Sequence, residues 1–110
     1  MVFKEKLTKQ EIKTVSIDYK EKLRENGIKV KKLVLFGSYA RGNERPWSDV
    51  DFVVVSPSFG KKNSFDELVE VNIIATKVSP MIEAHPATPK EFENGDSPWL
   101  AEAKKYGKEI

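Results

Sequence analysis

Residues 33–55 read LVLFGSYARGNERPWSDVDFVVV, and the fold depends on how this stretch is divided. Leu33-Val34-Leu35-Phe36 is a short, β-favouring apolar run stopped by a glycine, the pattern of a buried strand. Ser48 to Val55 has the same apolar character, except that its front end carries Asp49 and Asp51. Residues two apart in a strand point to one face. The spacing therefore sets the two carboxylates side by side, with Val50 and Phe52 facing the other way. Like charges at the mouth of an apolar strand repel each other, and a cation between them relieves the cost. Hard carboxylate oxygens suit Mg²⁺ or Mn²⁺ better than zinc, and the chain has no cysteine.

The exit of the first strand adds a second group of ligands. Gly37 admits a backbone conformation that a side chain resists. Ser38 is placed to cap the short turn that begins there. Backbone N–H groups at such a turn point outward and favour phosphate. Arg41 follows three residues after Ser38, on the same side of one helical turn, where it adds a fixed positive fork. Phosphate donors at one strand end beside metal ligands at the next describe a site for a metal-bound nucleoside triphosphate.

Gly37-Ser38-Tyr39-Ala40-Arg41-Gly42, five residues, then Ser48-Asp49-Val50-Asp51 resembles the GSxxRG…SDxD signature of the minimal nucleotidyltransferases, within the DNA polymerase β-like superfamily. A two-part motif with this spacing is far more specific than a lone glycine loop. The resemblance is tightest over Val30 to Val55. It implies a nucleotidyltransferase-like α+β fold and transfer of a nucleotidyl group from a triphosphate, here ATP, with two divalent ions (Mg²⁺, or Mn²⁺ in its place). On this resemblance Asp49 and Asp51 are catalytic metal ligands, and Gly37, Ser38, Arg41 and Ser48 bind the nucleotide. The family places a third carboxylate on the strand after the next helix, as metal ligand or general base. Glu83 is the one acid of that segment here, where the family usually has aspartate. Several family members are antitoxins that pair with a small all-helical toxin of the HEPN class and add AMP to it.

The remaining sequence supplies the scaffold. Thr8-Lys9-Gln10-Glu11 has capping-box spacing, and Ile12, Val15, Tyr19 and Leu23 give a helix one apolar stripe up to Asn26-Gly27. The lysines of this region alternate with acids, which reads as a solvated face rather than a nucleic-acid surface. Ile28 to Phe36 is the expected first strand and Ser48 to Val55 the second, antiparallel to it after so short a connection. Trp47 is expected to pack against the sheet edge. Ser64 is expected to cap a second helix with Leu68, Val71, Ile74 and Ala75 buried, and its early acids complement the helix dipole. Met81 to His85 reads as a third strand stopped by Pro86, with His85 a surface or capping histidine. Thr88-Pro89-Lys90-Glu91 starts a short helix, and Ser97-Pro98-Trp99 a last one with Trp99, Leu100, Ala103 and Tyr106 on its apolar side. The order predicts a mixed α+β domain over residues 1–110, a small mixed β-sheet flanked by helices.

With 110 residues and a formal net charge of +2, composition argues for one modest core and gives little support for direct nucleic-acid binding. No apolar run approaches the roughly 20 residues a membrane span needs. The charged N-terminus lacks a signal-peptide core, so the expectation is a cytoplasmic protein with no membrane partner. Two functional readings follow. One is an enzyme that modifies a helical partner protein, with a homo-oligomer left open. The alternative is a non-catalytic nucleotide-binding module that neutralises its partner by masking it.

Overall fold

The structure, a computed structural model, describes residues 3–110. Four strands form one sheet in the order β3-β2-β1-β4, with β1 at Lys32–Phe36, β2 at Val50–Val55, β3 at Ile82–Ala87 and β4 at Lys108–Glu109. The pairing of β1 with β2 is antiparallel and that of β2 with β3 parallel, so the sheet is mixed. The β2–β3 crossover runs through α3 (Ser64–Thr76), as parallel neighbours require. The short β4, not read from the sequence, pairs antiparallel with β1.

Strand alternation divides the core. Leu33, Leu35, Val50, Phe52, Val54 and Ala84 pack on one face against α1 (Lys9–Glu25) and α3. Val34, Phe36, Val53, Val55 and Ala87 pack on the other against α5 (Pro98–Tyr106), with α4 (Pro89–Asn94) at its margin. The α1 stripe is buried as its period demands: Ile12, Val15, Tyr19 and Leu23 all face inward, and the Thr8–Glu11 capping box closes the helix start. The Tyr19 hydroxyl donates to the Val71 carbonyl at 2.7 Å, which satisfies a buried polar group and ties α1 to α3.

Several expectations need correction. Both early strands start later than the apolar runs suggest, β1 at Lys32 rather than Ile28 and β2 at Val50 rather than Ser48. Helix α3 is capped by Asn63, whose side chain accepts from the Phe65 N–H at 2.8 Å, and not by Ser64. Leu68 is only half-buried, and the inward place beside Val71 is taken by Glu67. That carboxylate accepts from the Gly60 N–H at 3.0 and 3.1 Å and pins the loop before the helix. Pro86 does not end β3, which continues to Ala87. This strand lies at the sheet edge, where the Asn72 side chain takes both the N–H and the C=O of Ala84 at 2.9 Å. Pro86 is two residues on and turns its ring nitrogen to the same outer side, so no ladder hydrogen bond is lost. Trp47 is exposed, with φ 65°, and leans on Phe3 rather than on the sheet edge.

Candidate active site

The sheet topology brings the front ends of β1, β2 and β3 together. Phe36 pairs with Asp51, and Asp51 with Glu83, across three adjacent strands. Asp49 is exposed in the segment leading into β2. One carboxylate oxygen from each of Asp49, Asp51 and Glu83 lies within 4.8 Å of the others. A separation of 32 residues between Asp51 and Glu83 thus becomes a direct neighbourhood through the parallel β2–β3 register.

The glycine bend meets the same point. Gly37, with φ 75°, is the N-cap of α2 (Ser38–Arg41), and a side chain there would collide with the Asp51 carboxylate. Glycine is required twice over, once by the backbone angle and once by the approach of the acid. Ser38 is the first residue of the helix and makes no side-chain cap, contrary to the expectation. The Ser48 hydroxyl accepts from the Arg45 N–H at 2.8 Å, so it closes its own turn. The Arg41 guanidinium lies 4.5 Å from the centre of the Tyr106 ring and, among the described residues, forms no ion pair with a carboxylate.

Electrostatically the site is uncompensated. Burial, followed by the charges of Glu83, Asp49 and Glu102, pushes the Asp51 carboxyl up to about 7. Glu83 is also raised, by burial and then by the Asp49 carboxyl within hydrogen-bonding reach. Among the described residues no lysine or arginine pairs with these acids, and the basic neighbour is His85, whose Nε2 is 3.8 Å from Glu83. Burial lowers the His85 pKa and favours the neutral ring, so it offers little charge to offset them. Three crowded carboxylates with all-oxygen donors and no internal cation have the chemistry to hold a hard divalent ion.

Helix α5 contributes residues that sequence reasoning missed. Trp99 stacks on His85 at 4.5 Å, Glu102 acts on Asp51 through its charge, and Tyr106 lies under Arg41. They are spaced i, i+3, i+7 and so share one helix side. Apolar spacing alone assigns Trp99 and Tyr106 to the core. The acid at their shared spacing is the available sign that this side faces a polar site.

Comparison with known proteins agrees with the geometry. A family model described as a nucleotidyltransferase domain matches residues 16–103. The chain belongs to the nucleotidyltransferase domain family. Two curated relatives of this nucleotidyltransferase come from Methanocaldococcus jannaschii. "Putative protein adenylyltransferase MJ1215" is 39% identical over 64% of this chain and 84% of that protein. "Putative protein adenylyltransferase MJ1379" is 41% identical over 58% and 62%. Two solved structures share the fold. The structure of a "putative nucleotidyltransferase from Sulfolobus solfataricus" superposes with TM-score 0.60 at 20% identity, covering 77% of this chain and 73% of that one. A toxin–antitoxin structure with AMP-PNP gives TM-score 0.60 at 21% identity, covering 86% and 70%.

Proposed function

We propose that this nucleotidyltransferase moves an adenylyl group from ATP to a hydroxyl of a partner protein, as the antitoxin of a pair whose toxin is a helical protein of the HEPN class. The observation that carries the reading is the meeting of Asp49, Asp51 and Glu83 within 4.8 Å, against the Gly37 bend. The names of the curated relatives favour a protein acceptor. The toxin–antitoxin neighbour, solved with AMP-PNP, favours an adenine nucleotide and a toxin partner.

In this reading Asp49, Asp51 and Glu83 hold divalent ions of the Mg²⁺ or Mn²⁺ type. Ions held there would supply Lewis-acid charge, acidifying the attacking hydroxyl and offsetting charge on the departing pyrophosphate. The chain itself does the positioning. At the Gly37 bend the first N–H groups of α2 have no intrahelical acceptor and are free to donate to a phosphate. Arg41 presents its N–H edge to the triphosphate. Glu83, beside Asp49 and Asp51, is placed to take the proton of the attacking hydroxyl on a carboxylate oxygen. Asp51 must lose its own proton to ligate, so affinity for the ions should rise with pH up to about 7.

The test is co-expression with a helical toxin partner, followed by intact mass measurement of that partner. A gain of one adenylyl group supports the transfer. Relief of toxicity with an unchanged partner mass overturns it in favour of the masking module.

A further inference from the structure

Helix α5 lies across all three elements that carry the site. Trp99 meets His85 of β3, Glu102 acts on Asp51 of β2 through its charge, and Tyr106 meets Arg41 of α2. Of these contacts the last is the one that bears on a ligand. The Arg41 guanidinium sits over the Tyr106 ring, 4.5 Å from its centre, and Lys105 approaches the same ring at 5.2 Å. Tyr106 is 45% exposed although Leu100 and Ala103 of the same helix are buried, so its ring is not spent on the core. Stacking engages only the face of a guanidinium. All five N–H donors lie in the plane of the group, around its edge, and remain available. A ring 4.5 Å from the Arg41 guanidinium thus restrains the fork without offering a carboxylate to occupy its donors. A salt bridge to a carboxylate would have consumed the donors themselves.

We infer that Tyr106 is a positioning residue for the triphosphate, holding Arg41 in the orientation from which its edge engages phosphate oxygens. This rests on the nucleotide reading of the site given above. The role belongs to the ring and not to the hydroxyl. Replacement by phenylalanine therefore preserves it, and replacement by leucine removes it.

The experiment is calorimetric titration of the full-length chain with ATP in the presence of Mg²⁺, for wild type, Tyr106→Phe, Tyr106→Leu, Arg41→Ala and the Tyr106→Leu/Arg41→Ala double variant. The expected result is a Kd unchanged in Tyr106→Phe and raised about two- to ten-fold in Tyr106→Leu, the cost of ordering one freed long side chain on binding. On the Arg41→Ala background the leucine substitution should add nothing. Thermal unfolding of each variant separates this from a folding defect, because a purely structural role would move Tm in both backgrounds. Equal affinity of wild type and Tyr106→Leu overturns the inference while leaving the nucleotide reading intact. A further loss on the Arg41→Ala background also overturns it. Absence of any Mg²⁺-dependent ATP binding by the wild type overturns the nucleotide reading itself, and the inference with it.

Discussion

The two ends of the β2–β3 pair differ in a way that separates chemistry from shape. At the front, Asp49, Asp51 and Glu83 crowd together with no cation paired to them among the described residues. At the rear, roughly 13 Å along the strand, Lys31, Lys32 and Lys104 line a hollow of about 400 Å³ with Val55, Pro89, Phe92 and Glu93. The rear is roomy, and two of its three lysines have local partners. Lys32 reaches Glu109 at 4.0 Å and lies over the Phe92 ring at 5.7 Å, while Lys104 donates to the Glu93 carbonyl. Crowded like charge, and not the presence of a hollow, is what distinguishes the end suited to catalysis.

The most severe way to break this contrast is to remove the front acids. Asp49→Asn combined with Asp51→Asn should reduce adenylyl labelling of the partner by more than about 100-fold, and Glu83→Gln by about 10- to 100-fold. Incorporation of label from α-³²P-ATP measures both. Far-UV circular dichroism should show an unchanged fold, because these side chains support no core contact. Retention of full labelling by the double variant would mean that the acid cluster does no chemistry.

How much of this was legible beforehand follows from the range of each interaction. The carboxylate pair of β2, the glycine bend and the capping boxes at Thr8 and Thr88 depend on neighbours within a few residues, and period and spacing expose them. The place of Glu83 beside Asp51 depends on a parallel register across a helix, which the sequence pattern alone does not set. The family resemblance supplied it. Contacts of α5 were hidden because an aromatic at helical spacing reads as core whether its far side meets a sheet or a guanidinium. Pro86 misled for a related reason: only the edge position of β3 lets the strand run through it. Trp47 was misplaced because its left-handed φ turns it away from the sheet, and nothing in its neighbours demands that angle.

A milder test asks what the front acids cost the fold. The folded-state pKa of Asp51, about 7, lies above its ordinary 3.8, and Glu83 shifts the same way. Between those values the folded protein binds more protons than the unfolded chain. The two acids' contribution to stability therefore falls as pH rises from about 4 through about 7 and levels off above, while the lowered pKa of His85 works the opposite way just below 6.5. In metal-free buffer at pH 8, Asp51→Asn should raise Tm by about 4 °C, taking about 1 kcal/mol of repulsion to survive solvent screening. At pH 4 the two proteins should melt together. Added Mg²⁺ should raise the wild-type Tm at pH 8 and leave the variant nearly unmoved. A Tm difference between wild type and Asp51→Asn that does not grow from pH 4 to pH 8 would show that the acids are already compensated, and the contrast between the ends would lose its basis.

The smallest effects belong to the rear. Lys31→Ala with Lys104→Ala removes two cations from the hollow and leaves the front untouched. Surface substitutions of this kind stay within about 0.5 kcal/mol of wild type, a shift of roughly 2–4 °C in Tm. Partner labelling should remain within about two-fold, since no site residue contacts either lysine and their fields are screened over this distance at physiological salt. The measurement sharpens the contrast because it can fail in an informative direction. A ten-fold loss of labelling with ATP binding unchanged would place the acceptor protein, not the nucleotide, at the rear hollow. The two ends would then be the two halves of one reaction, with the donor held by unmet acids and the partner by lysines.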